Sequence, residues 1–216
     1  MAFIVFEGLD GSGKSSLLNF LEQELRRQNL PFICTREPGG TQLGDSLRQL
    51  ILQKKEPAPC PKAELLMYEA SRAQHVFEVI RPALAQTKWV LCDRFSASSV
   101  AFQAGGRHLS EQDVEWLNRF ATSDGHAKDL QPDLTVLLDL SVVTAKSRRE
   151  QRQLEFTEEV EDRIEAEAEA FHQRVRESFL KQAGQNPNSW LVLSADHSPA
   201  VLAQQLLAEL KNRKWL

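Results

Sequence analysis

Apolar positions along the chain follow two periods. Short runs dominated by apolar residues, at 3–6, 32–35, 89–92, 134–138 and 190–193, read as strands buried on both faces. Between them the spacing lengthens to that of a helix. Leu17, Leu21 and Leu25 recur four residues apart over 14–28, and Leu47, Leu50 and Ile51 form a second stripe. Pro57, Pro59 and Pro61 break the chain before a helical segment that starts near Lys62 and carries Leu65, Leu66, Val76, Val79 and Ile80. Ser110 followed by Asp113 suits a helix start ahead of Val114, Leu117 and Phe120. A last helix carries Val201, Leu202, Leu206 and Leu210. Strands alternating with helices predict an α/β fold, a doubly wound five-stranded parallel sheet flanked by helices. With 216 residues, no internal repeat and no long linker, one domain over 1–216 is expected.

One stretch departs from the pattern. Residues 146–169 are dense in charge of both signs. They read either as a solvated helix face laced with intrahelical ion pairs or, over about 146–165, as a mobile lid closing on a ligand.

Composition narrows the classes. A net charge of -4 and a pI near 5.8 supply no global basic field for a polyanion, so no nucleic-acid partner is expected. The N-terminus lacks the basic and apolar regions of a signal peptide, and no apolar stretch reaches membrane-spanning length, so no membrane partner is expected. The cysteines, Cys34, Cys60 and Cys92, are odd in number and far apart. Cys34 and Cys92 fall in candidate strands, where small buried thiols are common. A reducing, cytoplasmic setting follows.

The sharpest chemistry sits after the first strand. Gly8, Gly13, Lys14 and Ser15 fit G-x-x-x-x-G-K-[ST] between a strand and a helix. The loop formed by Gly8, Leu9, Asp10, Gly11, Ser12, Gly13, Lys14, Ser15 and Ser16 can turn successive N–H groups toward phosphate oxygens, with the helix dipole behind them. Lys14 reaches the β- and γ-phosphates of a nucleotide such as ATP, and the Ser15 hydroxyl can ligate Mg²⁺. Asp93 and Asp139 both end apolar runs, at the sheet edge where open α/β folds bind ligands. Asp93 is favoured as the second Mg²⁺ ligand because Arg94 follows it, while a helix cap or loop acceptor is the plainer role for Asp139. A GTPase-type switch would carry Asn-Lys-x-Asp, which does not occur.

FEGLDGSGKSS (6–16), TREPGGT (35–41), ASRAQH (70–75), CDRF (92–95), SSVAFQAGGR (98–107), PDLTVLLDLS (132–141) and DRIE (162–165) occur in one order along the chain. In this the sequence resembles the bacterial thymidylate kinases, P-loop nucleoside monophosphate kinases. The resemblance implies transfer of the ATP γ-phosphoryl group to dTMP, giving dTDP, with Mg²⁺, by a cytoplasmic homodimer. It implies that Lys14 and the 8–15 loop bind donor phosphates, and that Arg94 bridges the acceptor phosphate and the transferred group. Asp10 would lie near the sugar 3′-hydroxyl, Tyr68 would stack on thymine, and Arg72 would bond the base edge with Ser99 and Gln103 near its N3 side. Arg36 from the TREPGGT block, Pro38 and Arg48 would shape and charge the acceptor pocket. The P-loop holds no cation between its glycines, so the resemblance is to members that supply a catalytic arginine from the lid. Arg148 and Arg152, four residues apart on one helical face, are preferred among Arg148, Arg149 and Arg152, with Arg163 slightly later. Two departures stand out: GKSS in place of GKST or GKTT, and a longer, more acidic lid.

Overall fold

The structure, a computed structural model, describes residues 1–125, 129–155 and 162–216. In chain order the elements are β1 (Phe3–Glu7), α1 (Lys14–Arg27), β2 (Phe32–Arg36), α2 (Gln42–Leu52), α3 (Pro61–His75), α4 (Arg81–Ala85), β3 (Trp89–Asp93), α5 (Ser96–Ser99), α6 (Glu111–Thr122), β4 (Leu134–Asp139), α7 (Val142–Glu155), α8 (Glu169–Gln185), β5 (Trp190–Ser194) and α9 (Pro199–Asn212). The strands form one five-stranded parallel sheet in the order β2-β3-β1-β4-β5. This is the predicted architecture.

Register decides where chemistry can gather. In β1, Val5 lies opposite Cys92 of β3 and Thr135 of β4, so Phe6 meets Asp93 and Glu7 meets Leu137. The carboxyl ends of β1 and β3 therefore finish side by side, as a ligand-binding sheet edge requires. Alternation along the strands fills two cores. Ile4, Phe6, Leu91 and Val136 pack with α1, α8 and α9. Phe3, Val5, Val90 and Cys92 face the other way, with Val76, Ile80 and Phe95. The edge strand β2 is only half covered, and this corrects one expectation: Cys92 is buried but Cys34 is exposed. Among the described residues no helix is long and apolar enough to cross a membrane.

Side-chain caps mark some of the helix starts. Thr41 Oγ1 accepts from Gly44 N at 2.9 Å and Ser110 Oγ from Asp113 N at 3.3 Å. α1 lacks both aids: Gly13 offers no side-chain cap and its first turn has no acidic residue. Its leading N–H groups are left for a ligand.

A glycine pair such as Gly105–Gly106 suits a loop lining a cleft. Instead α5 continues without a break as a π-helical segment, Val100–Gly106. The glycines serve helix packing there. A Cβ on Gly105 would sit 2.8 Å from Ser178 Cβ, and one on Gly106 would overlap the Phe171 ring, both on α8. Gly106→Ala is accordingly expected to destabilise the fold by about 1–3 kcal/mol, the usual cost of overpacking. Denaturant titration checks this, and an unchanged midpoint would contradict it.

Candidate active site

The loop from Gly8 to Lys14 leaves β1 in a curl that only glycine sustains at its first position. Gly8 has φ 135°, and a Cβ there would stand 2.5 Å from Leu138 O. Lys14, buried at 6% exposure, folds back over the loop: its Nζ donates to Gly8 O and Leu9 O, each at 3.2 Å, and to Asp10 Oδ1 at 3.4 Å. Ser15 and Ser16 are exposed at the open start of α1.

Arg94 faces this loop from the end of β3. Its φ of 71° is left-handed, a strained conformation for a side-chain-bearing residue. The strain turns its guanidinium onto Asp10 Oδ1 (2.8 Å) and Ser98 Oγ (3.3 Å), above the Phe102 ring. Beneath it lies Glu7, fully buried, which accepts from Phe95 N at 2.9 Å and Ser98 Oγ at 2.7 Å and stands 3.7 Å from Arg94 Nη1. Burial works to raise the Asp10 pKa, but Arg94 and Lys14 outweigh it and hold that carboxyl well below the usual range. For Glu7 burial wins over Arg94, and its pKa rises to about 7.

A cleft of about 200 Å³ opens from this cluster, lined among others by Asp10, Pro38, Arg48, Tyr68, Arg72, Arg94, Ser99, Gln103 and Arg152. Arg72 is 1% exposed and almost fully committed. Its Nε donates to Glu37 Oε2 (2.7 Å), its Nη1 to Glu69 Oε1 (2.6 Å), Ser99 Oγ (2.9 Å) and Asn118 Oδ1 (2.7 Å), and its Nη2 to Phe95 O (3.1 Å). Behind Glu37, His75 Nδ1 lies 2.9 Å from Oε1 and His75 Nε2 lies 2.6 Å from Thr35 Oγ1. Burial works to lower the Arg72 pKa, but Glu69 and Glu37 hold it above the ordinary arginine range. Burial likewise pushes the Tyr68 phenol up, so it stays neutral. Arg48 Nη1 donates to Pro38 O at 3.1 Å.

A second, more apolar groove of about 550 Å³ runs along the other side of the P-loop, past Ser12, Gly13, Ser16, Phe20, Arg148, His197 and Pro199. The structure does not bring Arg148 and Arg152 together. Arg148 Nη2 donates to Ala195 O (2.9 Å) in this groove, while Arg152 lines the cleft, 3.9 Å from Glu165. Arg149, between them, is buried against the P-loop, its Nη1 3.3 Å from Asp10 O. These arginines lie on α7, so the first half of the 146–165 stretch is helix. The part at 156–161 lies outside the described residues.

Comparison with known proteins decides the family. A family model described as thymidylate kinase matches residues 6–206. The chain is 59% identical over 216 residues to a thymidylate kinase of Bdellovibrio bacteriovorus, covering all of this chain and 98% of the relative. The chain belongs to the thymidylate kinase family. A thymidylate kinase of Trichlorobacter lovleyi is 43% identical over 94% of each chain. The crystal structure of thymidylate kinase from Ehrlichia chaffeensis superposes with a TM-score of 0.75 at 29% identity, over 97% of this chain and 98% of that one.

As a member of the thymidylate kinase family, the chain carries all but one of its sequence-predicted acceptor-site residues into one cleft. Arg36 stays outside it, exposed and 3.4 Å from Asp45. The two strand-end aspartates sit in different surroundings. Asp139 is engaged by Arg176 through both oxygens, at 2.6 and 2.8 Å, whereas Asp93 Oδ1 is buried without a hydrogen-bond partner among the described residues. Among those residues no three acidic, histidine or cysteine side chains gather as a metal cage. A cation that keeps waters and takes phosphate oxygens fits such a site, and that is how Mg²⁺ binds. Sequence reasoning missed Glu7, Glu37, Glu64 and His75. The one signal for Glu7 was a carboxylate closing a buried apolar strand.

The raised Glu7 pKa gives a pH prediction. The protonated form is favoured in the fold, so its contribution to stability is complete below pH 4.5 and lost as pH rises through 7. Relative to Glu7→Gln, the natural protein should weaken by roughly 2–3 kcal/mol between pH 4 and pH 8. Unfolding free energies of both proteins across that range check it, and parallel curves would contradict it.

Proposed function

We propose that this member of the thymidylate kinase family transfers the γ-phosphoryl group of ATP to dTMP, giving dTDP and ADP. The carrying observation is that a base-sized cleft, with Tyr68 on one wall and the Arg72 and Gln103 head groups within, opens onto Arg94, Asp10 and the P-loop lysine. An acceptor in that cleft would point its phosphate at Arg94, beside the phosphates held by the loop. The apolar groove beyond Ser12 and Gly13 suits the donor base, with Arg148 at its rim.

The reaction needs little covalent help from the protein. An anionic oxygen of the acceptor phosphate forms a bond to the γ-phosphorus as the bond to the β-bridging oxygen breaks, and ADP leaves. No general base is required, so catalysis is positioning and charge stabilisation. Lys14 exchanges its carbonyl contacts for β- and γ-oxygens. Arg94, already aimed by Asp10 and Glu7, spans the acceptor phosphate and the transferring group. Asp93 and Ser15 would hold Mg²⁺, whose chemistry is to neutralise charge on the β- and γ-phosphates. Arg149, whose Nη1 lies 3.3 Å from the P-loop carbonyl of Asp10, is the arginine packed on the loop, with Arg148 lining the donor groove and Arg152 the acceptor cleft. Closure of the 146–165 segment would keep water from the phosphoryl group.

A homodimer is part of this reading. The neighbouring helices α2, α3 and α6 expose Leu50, Leu66, Trp116 and Phe120, with Trp116 and Phe120 stacked at 5.7 Å, a face suited to a second copy of the chain. The exposed thiols of Cys34 and Cys60 fit a reducing cytoplasm.

In an ADP-release assay across the common nucleoside monophosphates, dTMP should be the best acceptor by a wide margin; equal turnover of AMP, GMP or CMP would reject the assignment. Lys14→Ala should fold and lose turnover. Arg94→Lys keeps the charge but loses the planar fork, and should lower kcat/KM by about 10²-fold, the scale for one preorganised donor; activity within error would make Arg94 a bystander.

A further inference from the structure

Glu64 sits fully buried on α3, one turn before Tyr68. Four donors converge on its carboxylate. Oε1 accepts from Gln103 Nε2 at 3.0 Å and Arg107 Nε at 3.2 Å; Oε2 accepts from Arg107 Nη2 at 3.2 Å and Arg163 Nη2 at 2.6 Å. A carboxylate has about four lone-pair positions, so the four donors fill them. Whatever lies beside Glu64 must therefore donate. A Gln103 amide turned the other way would set its carbonyl oxygen against Oε1, acceptor against acceptor, in a buried place where that is costly. The NH₂ of Gln103 is thus held toward Glu64, and its carbonyl is left to the cleft that Gln103 lines.

Arg72 supplies the complementary half. Of its five N–H groups, Nε–H goes to Glu37, both on Nη1 are shared among Glu69, Ser99 and Asn118, and one on Nη2 goes to Phe95 O. One N–H on Nη2 remains for the cleft. The wall therefore offers one donor and one acceptor. A 4-oxo pyrimidine presents an acceptor at its 4-position and a donor at N3, matching both. A 4-amino pyrimidine presents a donor and a bare N3, failing both.

We propose that Glu64 is a positioning residue that locks the Gln103 amide and thereby sets the preference for a 4-oxo over a 4-amino pyrimidine. This rests on the reading in which thymine occupies the cleft. The lock draws on two distant segments, because Arg107 follows the π-helical segment and Arg163 lies near the end of the 146–165 stretch. Arg163 is itself anchored by its Nε to Ile51 O at 2.9 Å and its N to Leu52 O at 3.1 Å.

The test is the ratio of kcat/KM for dTMP to that for dCMP, measured in the full-length enzyme. In Glu64→Gln the two guanidiniums claim the new carbonyl and turn its NH₂ toward Gln103, whose amide then flips. The ratio should fall by about 10-fold or more, since a mismatched polar group is left buried against dTMP. Glu64→Asp, still acceptor-only, should keep the ratio within about 3-fold while overall efficiency drops, because only the reach is shortened. In a Gln103→Met background Glu64→Gln should no longer move the ratio. An unchanged ratio in folded Glu64→Gln, or an equal fall in Glu64→Asp, overturns the proposal. Wild-type enzyme indifferent to dTMP and dCMP would refute the thymine reading instead. Should Glu64→Gln not fold, neutron diffraction of the wild-type complex with dTMP decides: deuterons on the Gln103 atom facing Glu64 support the lock, and deuterons facing the base overturn it.

Discussion

Two cations, Lys14 and Arg94, share one carboxylate, Asp10, at the mouth of a buried cleft, and the rest of the site is arranged around that meeting. Charge taken from water must be paired. Lys14 is paired with backbone carbonyls as well as Asp10, and those bonds are long, at 3.2 to 3.4 Å. They can be exchanged for phosphate oxygens without unfolding anything. Arg94 is held differently, by a left-handed backbone and by Glu7 beneath it. One cation can therefore follow a ligand while the other stays where the ligand must come.

The sheet makes this meeting possible. β1 and β3 are neighbours in register, so the P-loop that follows one and the Asp93–Arg94 pair that ends the other emerge at the same edge. From there α3 and the helix running from α5 form the walls of the cleft. Their polar residues are tied in pairs across the gap: Arg72 to Ser99, and Glu64 to Gln103. A wall built this way is rigid before any ligand arrives, which is what selective recognition of a flat base needs.

The strands, the helices and the P-loop were legible because each rests on a local pattern: period two or period 3.6 in the apolar positions, and a glycine spacing next to a lysine. The expectation that Arg94, Tyr68, Arg72 and Gln103 belong to one pocket came through resemblance, and all four line the same cleft. What local patterns do not carry is which side chains meet across the fold. Nothing near Glu64 in the sequence announces that Arg107 and Arg163 will close on it, nor near Arg72 that Glu37 and Asn118 will fill its donors. The glycine pair at 105–106 is ambiguous in sequence because close helix packing and a flexible loop demand the same residue. Arg148 and Arg152 share a helix face by spacing, yet α7 passes between two cavities and sends one arginine into each.

The most direct measurement of the central claim is a crystal structure with a ligand joining adenosine to thymidine through a phosphate chain long enough to span both sites. The account predicts the thymine between Tyr68, Arg72 and Gln103, the adenine in the groove beside Arg148, and the bridging phosphates between Lys14 and Arg94, with Lys14 released from Gly8 O and Leu9 O. A ligand bound with its thymidine outside the cleft, or with Arg94 still turned wholly onto Asp10 and touching no phosphate, would contradict it.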